Sequence, residues 1–404
     1  MHHPKLRVRV RDVHVATKQH KYKKAASAQE IDEKMVIFET FMGRQYGDNP
    51  RAIYEYMLED QRFDDFRFVW VLNDPGKKAQ FPRLERAEIV ALRSRGYYDA
   101  YAKAKYVITN SNLDYGIMKR PGQVFLQTWH GTPLKKLRCD IEATDGNAIN
   151  SLEEIRSKNN LDVVRYDYFI SPSEFASEKF ASAFRLTALG MENILKVTGY
   201  PRNDLLYHFD EQFAAEQRLA LGIPEDKKVI LYAPTFRDNQ HNGAGYVYDL
   251  ALDFDELRRE LGDEYVILLR VHYFVAHQFD FDQAEGFVYN VSDLDDITPL
   301  YTISDVLVTD YSSVFFDYAN LGRPMVFYMY DKKAYADDIR GFYIDLDELP
   351  GPIVETEEEL IAQIRHAEQV APLYEEKYRK FKQKYDSHDD GNASRRVCEL
   401  LFGE

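Results

Sequence analysis

The sequence predicts an α/β protein of two domains, each built on a parallel sheet with helices on both faces. Three observations predict this fold. Short apolar runs alternate with segments of helical periodicity, the apolar runs are nearly continuous, and the rhythm restarts near residue 229. Continuous apolar strands are typical of parallel sheets that are buried on both faces. A chain of 404 residues also has the length of about two domains.

Strands in the first half are predicted by apolar runs bounded by turn residues. These runs are 35–38, 68–72, 88–92, 106–110, 124–129 and 168–170, and the segment 195–202 closes this half. Asp48-Asn49-Pro50 predicts a helix start with Asn49 as the N-cap. A polar segment near 150–165 predicts a helical insertion, and a helix carrying Phe175, Phe180 and Phe184 follows the strand at 168–170.

The second half repeats the pattern and ends in helices. Its predicted strands are 229–234, 265–270, 288–291, 306–309 and 325–328, and the tail at 373–404 predicts helices. The predicted organisation is a basic arm at 1–30, a domain at 31–205, a second domain at 206–375 and terminal helices at 376–404. The two doubly wound domains are expected to face a cleft.

Composition excludes several classes of protein. Charged residues make up 29% and hydrophobic residues 45%, the balance of a folded domain. The net charge of −15 argues against general nucleic-acid binding. Cys139 and Cys398 are too few for a disulfide framework or a zinc cluster, which favours a reducing, cytoplasmic setting. We expect neither a signal peptide nor a membrane-spanning helix, because no apolar run is long enough.

The N-terminal arm is basic despite the acidic chain. Residues 1–24 carry eight Lys or Arg side chains and one acid, Asp12. Two interpretations stay open: an arm that contacts an anionic membrane surface, or a solvated terminus. The alternation of apolar and basic residues from Leu6 to Arg11 predicts one strand.

The stretch 304–328 is the most informative in the chain. A strand ends at Thr309, Ser312 and Ser313 follow, and a helical pattern starts at once and stops at Gly322. Hydroxyl groups beside free N–H groups at a helix start favour an anion site. The alternative is that the serines only cap the helix.

Reactive side chains follow several predicted strands directly. They are His130, Arg237 and His272, together with the set Asp310, Ser312 and Ser313. Because ligands of open α/β sheets bind beyond the carboxyl ends of strands, this set suits a phosphate-bearing substrate with a histidine as general base. The alternative for a lone histidine is a structural hydrogen bond. His272 and His277 lack a carboxylate or cysteine cluster, so no metal site is predicted.

The sequence after His130 supports a turn next to cations. Gly131 allows a tight turn, Pro133 fits a first helical turn, and Lys135 and Lys136 bring two positive charges.

Six motifs in order resemble the CDP-glycerol glycerophosphotransferase family, which serves teichoic-acid and capsule assembly in bacteria. They are TWHGTPLKKL (128–137), SPSEF (171–175), VTGYPRND (197–204), YAPTFRD (232–238), LRVHY (269–273) and TDYSSVFFDYA (309–319). FETFMGRQYGDNPRAIYEY (38–56) and DPGKKAQFP (74–82) fit the same pattern. The resemblance runs from about residue 34 to 403.

The resemblance implies a fold of the glycosyltransferase B type, with the acceptor on the first domain, the donor on the second, and a last helix that crosses back. His130 would be the general base, and His272 would be catalytic as well as donor-binding. The other implied donor contacts are Thr235, Arg237, Asp310, Ser312, Ser313 and, at the ribose, Asp317. The implied acceptor contacts are Gly43, Gly131, Thr132, Lys135 and Lys136.

The implied reaction transfers a polyol phosphate from a CDP-polyol to a hydroxyl of a lipid-linked wall-polymer precursor or growing chain, releasing CMP. Glycerol phosphate is expected first and ribitol phosphate next, and the choice between primase and polymerase stays open. No cofactor is expected, with any need for Mg²⁺ left open, and the enzyme is expected at the inner face of the cell membrane. The alternatives are a sugar-nucleotide glycosyltransferase or epimerase of this fold, and an inactive scaffold for wall-polymer synthesis.

Overall fold

The computed structural model describes residues 4–141, 152–235, 241–242, 245–246, 252–271, 285–332 and 341–403. The chain forms two compact units. The first unit comprises Met1–His130, Lys136–Asp204 and His388–Glu404, and the second comprises Gly131–Lys135 and Leu205–Ser387.

The first unit is built on a seven-stranded parallel sheet. Its strands are β1 (Asp32–Glu39), β2 (Arg67–Leu72), β3 (Ala87–Ala91), β4 (Ala104–Thr109), β5 (Val124–Gln127), β6 (Tyr168–Ser171) and β7 (Leu195–Val197). Their order across the sheet is β3-β2-β1-β4-β5-β6-β7. Strand β1 pairs with β2 on one side and with β4 on the other, with Val36 opposite Phe68 and Tyr106. The direction of strand addition therefore reverses between β1 and β4.

Helices of the first unit cover both faces of this sheet. They are α1 (Pro4–Ala26), α2 (Asp48–Glu59), α3 (Arg95–Lys103), α4 (Leu152–Val163), α5 (Glu174–Ala183) and α6 (Leu186–Leu189), and α15 (Ala393–Phe402) near the C-terminus. Phe38 and Trp70 pack with Tyr54 of α2 and Cys398 of α15 on one face. Alternate strand residues, such as Ile37, pack with α1 and α3 on the other face. This alternation is the period of two that a strand imposes.

The basic N-terminal segment is a helix, so the strand predicted for Leu6–Arg11 is wrong. Helix α1 runs from Pro4 to Ala26, and its Tyr22 and Ala26 are buried in the core cluster under the first sheet. Gln19 donates a hydrogen bond to the carbonyl oxygen of Tyr115. The packing of Tyr22 and Ala26 stabilises the whole segment as a helix. The alternation of six residues at its start carries no information about this packing.

The start of α2 also differs from the prediction. The helix begins at Asp48 with Gly47 as the N-cap, whereas Asn49 was predicted to cap it. The Asn49 side chain is used elsewhere, because it donates to the carbonyl oxygen of Trp129 and accepts from the backbone N–H of Arg202.

The second unit is built on a six-stranded parallel sheet. Its strands are β8 (Lys228–Ala233), β11 (Tyr265–Leu269), β12 (Val288–Asn290), β13 (Val306–Thr309), β14 (Met325–Tyr328) and β15 (Ile353–Val354). The order is β12-β11-β8-β13-β14-β15, so the direction of strand addition reverses between β8 and β13. A separate antiparallel pair joins β9 (His241–Asn242) to β10 (Gly245–Tyr246).

The helices of the second unit also pack on two faces of their sheet. They are α7 (Leu205–His208), α8 (Glu211–Leu221), α9 (Phe254–Leu261), α10 (Thr298–Ile303), α11 (Val314–Tyr318), α12 (Glu357–Arg365), α13 (Ala367–Val370) and α14 (Glu375–Tyr385). Helices α9 and α12 enclose one face with Tyr232 and Val308. On the other face, Phe315 of α11 contacts Phe327 of β14 and Phe381 of α14.

Besides the short excursion at Gly131–Lys135, the chain passes between the units after Asp204 and again after Ser387. The sequence predicted these boundaries after residues 205 and 375, and the second differs because α14 packs on the second sheet through Phe381. Helix α15 then belongs to the first unit, where the Asp204 carboxylate accepts hydrogen bonds from the N–H groups of Ala393 and Ser394. Among the described residues, no helix combines the length and the apolar character needed to cross a membrane.

Candidate active site

Each sheet has one place where its strand order reverses, and polar side chains lie beyond the carboxyl ends of the strands there. The place is β1/β4 in the first unit and β8/β13 in the second. Such reversal points are where open α/β sheets bind ligands, since the loops on either side run in opposite directions and leave a crevice.

The loop after β1 has an unusual backbone. Phe41, Met42 and Gly43 all have positive φ, at 45°, 58° and 75°. The strain at the two non-glycine residues costs about 1 kcal/mol or more each. Neighbouring groups after β4 hold the loop, because the Phe41 N–H donates to Asn110 Oδ1 at 2.8 Å and the Met42 N–H donates to Ser111 Oγ at 3.2 Å.

His130 lies beyond the end of β5, where the sequence predicted it. The chain turns at Trp129, whose φ is 53°, and the Trp129 and His130 rings stack at a centroid distance of 4.1 Å. Nδ1 of His130 lies 2.7 Å from the carbonyl oxygen of Asn110. Since a carbonyl accepts only, Nδ1 carries the proton in the neutral ring and Nε2 keeps its lone pair. This is the tautomer that a general base needs.

The backbone around His130 is held from two sides. Arg202 Nη1 donates to the His130 carbonyl oxygen at 2.9 Å, and Asn49 Nδ2 donates to the Trp129 carbonyl oxygen at 3.2 Å. Arg202 also pairs with Asp48 at 3.1 Å, with both side chains nearly buried.

Asp48 connects these contacts to Asn110, because its Oδ2 accepts a hydrogen bond from Asn110 Nδ2 at 2.8 Å. One buried network therefore joins the β1 loop, the imidazole and the motif that contains Arg202. This network holds the imidazole ring against the loops of the first unit.

Burial lowers the pKa of His130 below its usual value, because a charged imidazole would be poorly solvated there. The Asn110 hydrogen bond and the Asp48 carboxylate raise the pKa, and the Arg202 and Arg138 cations lower it. The net effect keeps the ring neutral near physiological pH, ready to accept a proton.

The Arg138 guanidinium packs against the Trp129 ring. Its guanidinium lies 5.6 Å from the Trp129 ring and 4.4 Å from the Phe184 ring, and it donates to Asp162 at 3.4 Å. Burial raises the pKa of Asp162. Arg138 thus supports the aromatic ring on which His130 stacks.

The sequence that follows His130 divides between the units. Gly131, Thr132 and Lys135 belong to the second unit, whereas Lys136 belongs to the first. The resemblance implies that the first three contact the acceptor, and all three pack in the second unit. Gly43 does lie in the first unit, in the strained loop after β1.

In the second unit, Thr235 and Asp310 meet at the ends of β8 and β13. The Thr235 N–H donates to Asp310 Oδ1 at 2.8 Å. The carboxylate therefore fixes the turn after β8 as well as standing at the predicted donor site.

Ser312 and Ser313 precede α11, and neither is fully buried. Ser313 occupies the N-cap position without a side-chain capping hydrogen bond. Both hydroxyls lack a partner among the residues that the structure describes. The capping alternative therefore does not account for them, and they are free to donate to an anion.

Asp317 lies one helical turn after Ser313, on the same face of α11. It is 5% exposed, and its carbonyl oxygen accepts from Asn320 Nδ2 at 3.1 Å. Arg237, His272 and His277, which the sequence also singled out, lie outside the described residues. Within the described ranges, no group of His, Cys, Asp and Glu is arranged to hold a metal ion.

Three functional candidates were missed in the sequence. Asn110 follows β4 directly, so the strand-end argument that found His130 also applies to it. The local pattern at Asp48 predicts only a helix start, and the motif that contains Arg202 indicates no role for this side chain. These residues come together through hydrogen bonds between distant positions: Asn110 and Asp48 are 62 residues apart, and Arg202 and Asp48 are 154 residues apart. Local sequence patterns do not predict such contacts.

A family model, known relatives and solved structures resemble this chain. The family model described as CDP-glycerol:poly(glycerophosphate) glycerophosphotransferase matches residues 21–403. A teichoic acid poly(glycerol phosphate) polymerase of Bacillus subtilis (strain 168) is 41% identical over 384 residues, which cover 93% of this chain and 50% of that protein. This chain therefore spans about half the length of that relative.

Two further similarities cover nearly the whole of the matched protein. A teichoic acid glycerol-phosphate transferase of Staphylococcus aureus (strain NCTC 8325 / PS 47) is 40% identical over 378 residues, covering 92% of this chain and 93% of that one. A solved structure of the wall teichoic acid polymerase TagF superposes with a TM-score of 0.87 at 36% identity, over 98% of this chain and 96% of the other.

Proposed function

The chain belongs to the CDP-glycerol:poly(glycerophosphate) glycerophosphotransferase family, and from this premise we propose that it transfers glycerol phosphate from CDP-glycerol to a hydroxyl of a teichoic acid acceptor. The observation that carries the proposal is the state of His130: a neutral imidazole with Nδ1–H bonded to Asn110 and Nε2 unprotonated. Relatives at about 40% identity are named for glycerol phosphate, which favours that polyol over ribitol phosphate.

In the proposed reaction, His130 Nε2 takes the proton of the acceptor hydroxyl. The acceptor oxygen then bonds to the phosphorus that bears glycerol. The bond from that phosphorus to the bridging oxygen breaks, and CMP leaves with the electron pair. Asp48, Asn110 and Arg202 act by holding the imidazole and its backbone in place.

The donor is proposed to bind at the β8/β13 end of the second unit. Ser312 and Ser313 would donate hydroxyl hydrogen bonds to the pyrophosphate, and Asp317 would hold the ribose. Thr235 and Asp310 would shape this site, and Arg237 and His272 would neutralise charge as the family resemblance implies.

The acceptor is proposed to reach His130 past Gly43, with Lys136 as a nearby cation. The resemblance implies Gly131, Thr132 and Lys135 as acceptor contacts; we propose that they face the donor, and the support is their packing in the second unit.

We also propose that the two units are doubly wound domains of the glycosyltransferase B type. The support is twofold. When the strands of each sheet are numbered from one in chain order, both sheets have the core order 3-2-1-4-5-6, and helices pack on both faces of each sheet. A lipid-linked acceptor and a peripheral position at the inner face of the bacterial membrane are proposed as well. Their support is the family and the basic residues of α1, which suit an anionic surface.

CMP release tests the proposal. CDP-glycerol and CDP-ribitol are incubated in parallel with a lipid-linked, glycerophosphate-primed acceptor, with wild-type protein and His130→Ala. CMP from CDP-glycerol, lost in the variant, supports the proposal, and the product length separates primase from polymerase. CMP from CDP-ribitol alone would change the polyol, and release of neither would refute the transferase assignment.

A further inference from the structure

The five residues after His130 are part of the second unit, although the residues on both sides of them are part of the first. We call Gly131–Lys135 the strap. Four of its residues are buried, with Leu134 3% exposed and Thr132 2% exposed. The strap is thus packed in the second unit, and one peptide bond joins it to the proposed base.

Backbone pairing with residues 342–343 fixes the strap within the second unit. The Tyr343 N–H donates to the Leu134 carbonyl oxygen at 2.8 Å. Lys135 forms an antiparallel bridge with Phe342. The position of the strap is therefore tied to that of residues 342–343.

Phe342 also contacts the segment after β13, in which Ser312 and Ser313 lie. The Phe342 ring stacks on the Tyr311 ring, with centroids 5.8 Å apart and planes at 26°. Tyr311 is buried and directly precedes Ser312. A continuous path of contacts inside the second unit thus leads from Ser312 through Tyr311 and Phe342 to the strap.

We propose that Phe342 is a positioning residue that couples occupancy of the donor site to the placement of His130. The inference rests on the proposed function. A pyrophosphate bound at Ser312 restrains Tyr311, Tyr311 restrains Phe342, and the strap then fixes the backbone that His130 shares. A displacement of about 1 Å at a reacting group can cost about 100-fold in rate, so a small gain in order at the strap has a large kinetic effect.

Thr132 adds an independent sign that the strap faces a ligand. Its Oγ1 is buried and has no hydrogen-bond partner among the described residues. A buried hydroxyl without a partner is unfavourable, and a phosphate oxygen arriving with the donor would satisfy it. The donor thereby contacts the strap directly as well as through Phe342.

The kinetic test compares Phe342→Ala with Phe342→Tyr, which keeps the ring. Tyr330→Ala is the matched control, because the Tyr330 ring also packs on another ring of the second unit, that of Tyr328, at a centroid distance of 5.4 Å. We expect kcat for CMP release from CDP-glycerol to fall about 100-fold in Phe342→Ala, with the Kd for CMP within about threefold of the wild-type value. Phe342→Tyr should recover most of the rate. Equal losses in Phe342→Ala and Tyr330→Ala would overturn the inference.

A second measurement needs no Phe342 variant. Hydrogen–deuterium exchange of the wild-type protein, with and without saturating CDP, which carries the pyrophosphate, should show slower exchange at 131–135 and 341–343. Unchanged exchange there, with protection at 309–313, would overturn the coupling while leaving the transferase intact. A wild-type protein that releases no CMP from any CDP-polyol would remove the proposed function, and the inference with it.

Thr132→Val tests the direct contact between the donor and the strap. This variant should raise KM for CDP-glycerol without lowering stability, and an unchanged KM would contradict the direct contact.

Discussion

Glu39 is a buried carboxyl group whose ionisation should destabilise the first unit. It ends β1, directly before the strained loop, and is 1% exposed. Tyr101 donates a hydrogen bond to its Oε2 at 2.7 Å. Burial raises the pKa of Glu39 from 4.5 to about 7, with a further upward contribution from Asp114. Hydrogen bonds from Tyr101 and Tyr97 and the charge of Arg165 act in the opposite direction.

The pKa shift sets the size and the sign of the effect. Because the folded state holds the proton more tightly than the unfolded state, its stabilisation is complete below about pH 4.5 and is lost as pH rises through about 7. At about 1.4 kcal/mol per unit, the whole loss is about 3 kcal/mol. Glu39→Gln removes the titration and keeps an acceptor for Tyr101. Between about pH 5 and pH 8 the variant should gain about 2–3 kcal/mol in stability relative to the wild-type protein.

The assay is urea unfolding followed by tryptophan fluorescence at several pH values. Both tryptophans of the chain, Trp70 and Trp129, lie in the first unit, so the signal reports on that unit. Glu88→Gln is the matched control, because Glu88 is an exposed carboxylate on β3 of the same sheet. Parallel pH curves for Glu39→Gln and wild-type protein would refute the reasoning.

Two further predictions concern the base and the donor site. Arg202→Met should raise the pKa of His130, and Asp48→Asn should lower it, so the acid limb of the kcat/KM profile should move by about one pH unit in opposite directions. Shifts in the same direction would contradict the assigned charges. Ser312→Ala and Ser313→Ala should each raise KM for CDP-glycerol about tenfold with little change in stability, since neither hydroxyl bonds to a described residue. An unchanged KM would remove the serines from the donor site.

The sheets could be predicted from the sequence because their strands are buried on both faces. Val306–Val308 and Phe68–Leu72 are apolar at every position, and both lie in strands of the structure. The N-terminal helix could not be predicted in the same way. Its fold depends on the packing of Tyr22 and Ala26 against distant strands, whereas the local alternation from Leu6 to Arg11 favours a strand.

The candidate site was predictable where a residue follows a strand directly. His130, Ser312 and Ser313 were found by that rule. The network of Asp48 and Arg202 was not, because its members are far apart in sequence and make their contacts only in the folded unit.

The strap was missed for the same reason. Its assignment to the second unit depends on pairing with Phe342, more than 200 residues away. Nothing in the local sequence of a glycine-proline turn reports that pairing.

Mass analysis of the acceptor after a single turnover tests the central claim most directly. A primed acceptor is mixed with CDP-glycerol and excess wild-type protein or His130→Asn, which removes the free Nε2 at nearly constant size. The wild-type protein should lengthen the acceptor by one glycerol phosphate unit with one CMP released, and the variant should be slower by about 100-fold or more. Extension at the wild-type rate by His130→Asn would show that His130 is not the base and would contradict the account.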